Sequence, residues 1–352
     1  MRIFQLLSTI AYGDAVSNDT VAMEKAIKQM GYQTRIYAES IVPPLDKKTA
    51  LAISELKDVS NDDIIIFHMS TGSRLNFDVA KYPCRKIVVY HNITPPEYFK
   101  NNDERFSDIC EYGLKGAKSL ADKVDYCLAV SEFNKKDLLN MGYKCPIDVL
   151  PIIIPMSDYD KAPDKSVVKK YSDDYVNILF TGRIAPNKKQ ENLISAFYYY
   201  NRLYNKKSRL ILAGSFRYDD PYYIRLTEYT KKLGMGGTVI FTGHIKFDQI
   251  LAYYKTADVF LCMSEHEGFC VPIVEAMKFK VPIIAYGRAA VPETMNHKGM
   301  ILDDNNPQYK MKDLNIIAMI IYLQCSRSIC QSLLIRRIEH YEENWICSSM
   351  VS

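Results

Sequence analysis

The sequence predicts an α/β protein built from two doubly wound parallel-sheet domains that face each other across a cleft. Three observations predict it. Short β-branched runs alternate with helical stretches, as in sheets covered on both faces. The alternation breaks at a polar stretch and restarts near residue 176. The length, 352 residues, suits two domains of roughly 150 residues better than one core.

The elements follow in order. Strand-like runs in the first half are RIFQLLS (2–8), QTRIYA (33–38), DIIIFH (63–68), KIVVYH (86–91), YCLAVS (126–131) and IDVLPI (147–152). The segment 18–31 is amphipathic, opens on a capping Asn/Asp pair and closes on Gly31. The second set begins with VNILFT (176–181) and a helix over 188–203. It continues with RLILAG (209–214), a helix over 221–233, TVIFTG (238–243) and a helix over 246–255. DVFLCMS (258–264), a helix over 271–279, VPIIAY (281–286) and GMILDD (299–304) complete it, with a last helix over 311–325. The expected division is 1–160, a linker over 161–175, 176–340, and a tail over 341–352 that returns to the first domain.

Composition narrows the function classes. Net charge is +4, and residues 1–170 carry 23 basic and 23 acidic side chains. A nucleic-acid protein would show a stronger basic bias. Nine scattered cysteines, with no Cys-x-x-Cys, read as buried thiols in a reducing compartment rather than a disulfide frame or zinc site. The first residues, MRIFQLLSTIAYGDA, read as a strand and not a signal peptide, because Gln5, Ser8 and Thr9 interrupt the apolar stretch. A cytoplasmic protein is expected.

Two stretches carry chemistry. EHEGFCVPIVEAM (265–277) places Glu267 and Glu275 eight apart around Gly268, Phe269, Cys270 and Pro272. Pro272 suits the first turn of a helix, and a helix N-terminus binds anions, phosphates above all. Gly268 would let the backbone approach a ligand closely. Glu275 is expected in the first helical turn, where its carboxylate could accept from ligand hydroxyls. FTGRIAPNKKQENL (180–193) likewise leads from a strand into a helix and offers Arg183 and Lys188 to a diphosphate. Taken singly, each stretch has an ordinary alternative: solvent-facing glutamates in a strand–turn–helix, and a solvated basic loop.

Together, GRIAPNKKQENLISAF, VIFTGHI, ADVFLCMSEHEGFCVPIVEAM and VPIIAYGRAAVPETM resemble the retaining, nucleotide-sugar-dependent glycosyltransferases of the GT-B fold, a family that includes bacterial mannosyltransferases and sucrose-phosphate synthases. The third stretch matches the family's Glu-x7-Glu signature, and the resemblance runs from Ile3 to about Leu302. It implies that Arg183 and Lys188 grip the donor diphosphate and that Glu275 binds the ribose hydroxyls. Glu267 and the backbone N–H groups at Phe269 and Cys270 would hold the donor sugar. Gly243 and His244 would lie near the nucleobase. His91, ending KIVVYH, would reach the donor sugar; without the family, a lone histidine at a strand end reads as structural. The loop Tyr12-Gly13-Asp14-Ala15 would lie by the diphosphate and acceptor. Many relatives carry a second glycine where this chain has Cys270, which would put a bulkier group beside the sugar, and a glycine pair where it has Gly13-Asp14.

The resemblance further implies a hexosyltransferase moving sugar from a GDP- or UDP-linked donor to a glycan or lipid-linked acceptor in surface polysaccharide synthesis, with retention and without metal or other cofactor. Asp158-Tyr159-Asp160 has the form of a metal-binding Asp-x-Asp but falls in the polar stretch, where solvated linker is the expectation. A glycosidase would also use two carboxylates but needs no cation pair at a helix N-terminus. The competing readings are a non-catalytic partner subunit of the same fold, favoured by an irregular C-terminus, and a sugar-nucleotide epimerase or phosphorylase. Lys115, Lys118, Lys123, Lys135 and Lys136 suit either a weak peripheral membrane contact at the inner membrane face or, more commonly, an exposed charged helix face.

Overall fold

The structure is a computed structural model and describes residues 1–303 and 314–325. The chain forms two compact units. The first joins Met1–Pro155 to the short segment His266–Val271; the second takes Met156–Glu265 and the described residues from Pro272 onward.

In the first unit, β1 (Arg2–Ile10), α1 (Ala15–Gln29), β2 (Gln33–Ile41), β3 (Leu51–Ala52), β4 (Ile64–Met69), α2 (Leu75–Asp78), β5 (Arg85–Tyr90), α3 (Glu104–Ser119), β6 (Tyr126–Ala129), α4 (Glu132–Asn140) and β7 (Ile147–Val149) follow one another. The sheet order is β3-β2-β1-β4-β5-β6-β7, parallel throughout. The strands at its centre bury both faces: Ile3, Phe4, Leu6, Leu7 and Ile10 of β1 are all core residues. That is why the runs read as nearly continuous apolar stretches.

The first helix corrects the expected start. It begins at Ala15, because Asp14 caps it: the Asp14 carboxylate accepts from the Ser17 N–H at 2.9 Å. Asn18 and Asp19, expected as caps, lie inside the helix, and Asp19 is buried.

In the second unit, α5 (Lys165–Tyr171), β8 (Val176–Thr181), α6 (Gln190–Leu203), β9 (Ser208–Ala213), α7 (Pro221–Lys232), β10 (Val239–Gly243), α8 (Phe247–Thr256), β11 (Val259–Cys262), α9 (Val271–Lys278), β12 (Ile283–Tyr286), α10 (Val291–Thr294), β13 (Met300–Leu302) and α11 (Leu314–Cys325) succeed one another. The sheet is β10-β9-β8-β11-β12-β13, again parallel. Phe197, Tyr200 and Leu193 of α6 share one core with Ile317, Ala318 and Ile321 of α11. Each fully buried side chain of this size contributes about 1.5–3 kcal/mol.

Three expected boundaries move. The division falls at Pro155/Met156, five residues before the expected end of the first domain. The expected linker, 161–175, holds α5, capped by Asp164 and packed on α8 through Tyr171 and Tyr253. Glu267 to Cys270, expected within the second domain, belong to the first unit. The tail at 341–352 lies outside the described residues. Among the described residues no helix is long and apolar enough to cross a membrane.

Candidate functional site

The expected site residues divide between the units. Gly13, Asp14, His91, Glu267, Gly268, Phe269 and Cys270 lie in the first; Arg183, Lys188, Gly243, His244 and Glu275 lie in the second.

In the first unit, His91 follows β5, and its N–H still bonds to Met69 O at 2.9 Å. Its side chain is buried beside His68 of β4 and Asp19 of α1. His68 Nδ1 stands 3.0 Å from His91 Nε2, and His68 Nε2 stands 3.0 Å from Gln5 Oε1 on β1. Asp19 Oδ2 lies 3.7 Å from His91 Nε2, while Asp19 Oδ1 accepts from the Ile153 N–H at 2.8 Å. Burial drives all three titrations toward neutrality. It lowers both histidines, His91 to about 3, and raises Asp19 to about 6. His91 Nδ1 and Gln5 Nε2 are buried without a hydrogen-bond partner. Ligand atoms of Asp19, His68 and His91 lie within 4.8 Å of one another, so these three could also hold a metal ion.

The loop 266–271 packs onto the end of β5. Ser131, which caps α4, donates to Gly268 O at 2.7 Å. His266 Nε2 stands 2.6 Å from Asn92 Oδ1, and Asn92 donates to Asn134 Oδ1 at 2.9 Å. A Cβ on Gly268 would sit 2.6 Å from His91 O and 2.7 Å from Asn92 Cβ. The close approach that this glycine permits is therefore to the protein's own backbone. Cys270 holds φ +75° and Asn92 φ +83°, both in the left-handed region. The Cys270 side chain is buried. Gly13 has φ +78° in the turn before α1, with open space where a Cβ would stand.

In the second unit, β8 ends at Thr181 and the chain turns through Gly182 and the exposed Arg183 to a 3₁₀ turn, Pro186–Lys188. Gly214 is required here, since a Cβ on it would fall 2.0 Å from Gly182 O. The loop is braced by Gln190, whose Nε2 donates to Arg183 O at 3.1 Å. Gly243 ends β10 with φ +73°, next to the Phe216 ring, and His244 is exposed.

Glu275 corrects an expectation. It is the fifth residue of α9, in the second turn and not the first, and Pro272 occupies the first turn as expected. Both carboxylate oxygens are occupied: Tyr159 OH donates to Oε1 and Tyr254 OH to Oε2, each at 2.7 Å. Tyr254 OH also meets Thr181 Oγ1 at 2.6 Å. One buried tyrosine thus ties the α9 carboxylate to the strand that feeds the Arg183 loop. Desolvation raises the Glu275 pKa, and the two tyrosine hydrogen bonds oppose the rise.

Tyr159 also corrects the reading of Asp158-Tyr159-Asp160 as solvated linker. Its ring packs edge-on against Phe247, 5.2 Å between centroids, and Asp160 pairs with Lys278 at 3.0 Å. The sequence reading missed Gln5, Asp19, His68, Asn92, Asn134, Tyr159 and Tyr254. A signal existed for two of them: Gln5 and His68 are lone polar residues inside apolar strand runs, IFQLL and IIIFHM.

Residues 161–316 match the family Glycosyl transferases group 1. The chain is 25% identical over 231 residues to O-antigen chain mannosyltransferase B of Escherichia coli, covering 63% of this chain and 58% of that protein. It is 25% identical over 199 residues to a GDP-mannose-dependent phosphatidylinositol monomannoside mannosyltransferase of Mycobacterium tuberculosis, covering 53% and 50%. The chain therefore spans between half and three fifths of the length of these relatives. Sucrose-phosphate synthase of Thermosynechococcus elongatus superposes with a TM-score of 0.64 at 14% identity, covering 99% of this chain and 100% of that one. WaaG, a glycosyltransferase involved in lipopolysaccharide biosynthesis, gives 0.65 at 12%, covering 96% and 98%. Residues 161–316 are thus similar to the Glycosyl transferases group 1 family, and the chain as a whole shares the two-domain fold of these solved structures. The family match spans Arg183, Lys188, Gly243, Glu267 and Glu275, so the Glu-x7-Glu stretch lies wholly within it.

Proposed function

We propose that the protein transfers a hexose from a GDP- or UDP-linked donor to a glycan or lipid-linked acceptor in surface polysaccharide synthesis, with GDP-mannose the first donor to test. The names of the similar mannosyltransferases support the sugar class. The observation that carries the reading is the half-buried Glu275 carboxylate, on the helix that follows the Glu267 loop, which two tyrosine hydroxyls hold in place. Each carboxylate oxygen has two acceptor sites, so one on each remains for a ribose hydroxyl.

In this reading the reaction is electrostatic. Charge builds on the departing diphosphate, and Arg183 and Lys188 neutralise it beside the N-terminus of α9. Glu267 and the backbone at Phe269 and Cys270 hold the donor sugar, and Gly13 and Asp14 border the acceptor side. The departing phosphate takes the acceptor proton on the same face, so configuration is retained and no protein nucleophile or metal is used. Asp14 acts chiefly as the α1 cap, since its carboxylate is engaged by Ser17.

The test is calorimetry of the folded protein against GDP, UDP, ADP and their sugar conjugates without added metal, followed by turnover with the donor that binds. Binding of one nucleotide, weakened by Glu275→Ala and by Lys188→Ala, is the expected result. Binding that appears only with a divalent cation sinks the metal-free mechanism. No binding at all favours the non-catalytic subunit.

A further inference from the structure

Cys127 and Cys145 meet inside the first unit. Cys127 lies on β6 and is fully buried; Cys145 lies just before β7 and is only half-buried. Both are free thiols, with their Sγ atoms 3.6 Å apart. The backbones that carry them are neighbours: the Cys127 N–H donates to Pro146 O at 3.0 Å, and Cys127 pairs with Ile147 in the parallel ladder. A disulfide needs its sulfurs at about 2.05 Å, so about 1.5 Å of approach remains, within the sweep of one Sγ about its Cα–Cβ bond.

Two packed core thiols are the ordinary alternative, since a free cysteine behaves as a small apolar residue. Access and anchoring distinguish this pair. Cys145 reaches solvent between the exposed Lys144 and Pro146, whereas Cys127 does not. Burial raises the Cys127 pKa and the neighbouring Cys145 raises it further, so Cys127 stays protonated. The chain around Cys145 is pinned on both sides. Tyr143 OH donates to Ala117 O at 2.8 Å, and the Leu150 N–H donates to Ala129 O at 2.8 Å. An accessible thiol held over a sheltered one is the arrangement of an attacking and a resolving cysteine.

We propose that Cys127 and Cys145 form a reversible disulfide site, in which a peroxide oxidises Cys145 and Cys127 resolves it. The Cys145 thiolate attacks one peroxide oxygen; the S–O bond forms, the O–O bond breaks, and the departing hydroxide takes up a proton as water. The Cys127 sulfur then attacks the Cys145 sulfur; the S–S bond forms, the S–O bond breaks, and the second hydroxide leaves with the Cys127 proton as water. The two sulfurs together lose two electrons and the peroxide gains them. A dithiol reductant restores both thiols. The bond ties the edge strand β7 to β6 across the loop that contains α4. A disulfide that forms only on exposure to oxidant is compatible with the reducing compartment that the cysteine pattern predicts. The inference is independent of the transferase reading.

The experiment uses the full chain, reduced, freed of reductant and exposed to hydrogen peroxide while folded. Remaining thiols are then blocked in denaturant, and the protein is digested with trypsin, which cuts after Lys123, Lys135, Lys144 and Lys161. Mass spectrometry should find the 124–135 peptide joined to the 145–161 peptide, lighter by two hydrogens than their sum and released by dithiothreitol. Cys127→Ala should leave Cys145 as a sulfenic acid that dimedone captures, and Cys145→Ala should leave Cys127 unmodified at the same dose. Linkage of either residue to a different cysteine overturns the proposal, as does linkage that forms only in urea. So does a folded wild-type protein in which Cys145 is oxidised and no linked peptide forms, or in which both thiols survive the peroxide. If Cys127→Ala does not fold, dimedone added to the wild-type reaction decides the order: capture at Cys145 is expected, and capture at Cys127 refutes it.

Urea unfolding of the linked and the reduced protein provides a second readout. The linked form should have the higher midpoint, because closing the 127–145 loop narrows the unfolded ensemble. A lower midpoint would mean that the native geometry resists the bond, and the site would then not be one the fold has prepared.

Discussion

Two polar clusters lie in the two units, and they are finished differently. Around Glu275 each carboxylate oxygen has a donor, and the donors are themselves anchored, Tyr254 on Thr181 and Tyr159 on Phe247. Around His91 the hydrogen-bonded chain stops at a bare Nδ1 and leaves the Gln5 amide nitrogen unmatched. Burial alone does not separate them, because it shifts the titrations in both. Satisfaction does. A completed cluster holds one geometry, whereas an open one carries the cost of an unpaired buried polar atom. The first should therefore reveal itself in stability, and the second in pH dependence.

The largest expected effect is acid loss of stability from the histidine cluster. His68 and His91 have folded pKa values well below their unfolded value of 6.5, so the folded state binds fewer protons than the unfolded one below that pH. Their contribution is complete above pH 6.5 and is lost as pH falls toward about 3. Asp19 opposes them: its folded pKa is raised from 3.8 to about 6, so its penalty is relieved as pH drops through that window. Glu275 is raised too and acts in the same sense as Asp19. Two protons against these leave a net loss on the order of a few kcal/mol between pH 6.5 and 4. Urea midpoints across that range should fall, and His91→Gln should flatten the slope by about 1.4 kcal/mol per pH unit. A wild-type midpoint independent of pH there would erase the distinction between the clusters.

Glu275→Ala tests the completed cluster. It removes the shared acceptor of two tyrosine hydroxyls, of which the one on the fully buried Tyr254 keeps Thr181 Oγ1 and Pro272 O within reach. The expected cost is about 2–4 kcal/mol in urea unfolding, together with loss of nucleotide binding. Glu275→Gln keeps one acceptor oxygen and should recover part of the stability but little of the binding. If both variants bind nucleotide normally, Glu275 is a structural carboxylate.

These clusters also mark how far the sequence could be read. The strands were legible because a parallel sheet covered on both faces leaves apolar runs with few interruptions, as in β1, β4 and β8. The Glu275 stretch was legible because a proline and a glycine punctuate it. Its partners were not. Tyr159 lies 116 residues away, inside a polar stretch whose composition suggested a linker, and nothing local says that a tyrosine will reach a carboxylate. Gln5 and His68 stood out as polar breaks, but their meeting depends on the order β1-β4-β5, which no single segment encodes. The position of Glu267 to Cys270 was misjudged for the same reason: it follows from Ser131, Asn92 and His266, and not from the motif itself.

Tyr159→Phe sharpens the comparison at smaller scale. It removes one donor and leaves the ring on Phe247. Stability should fall by about 1 kcal/mol, and nucleotide affinity by a few-fold as Oε1 loses its fixed direction. Tighter binding would mean instead that Tyr159 competes with the ligand for that oxygen, and the cluster would then be a closed lid and not a finished support.

The smallest effect is expected at Cys270. Its φ of +75° is a conformation that glycine adopts freely and an L side chain adopts at a cost of roughly 1–2 kcal/mol. Its thiol is buried, and removing a small buried side chain forfeits about as much as the relieved backbone returns. Cys270→Gly should therefore change the unfolding free energy measured in urea by less than about 1 kcal/mol. Cys270→Ala keeps the strain and loses the sulfur, so it should be the less stable of the two variants. The pair of measurements separates backbone strain from side-chain burial. If Cys270→Ala equals or exceeds Cys270→Gly, the left-handed turn is held by the Ser131–Gly268 contact so firmly that the residue type no longer matters, and the loop's geometry is imposed from α4 rather than by its own sequence.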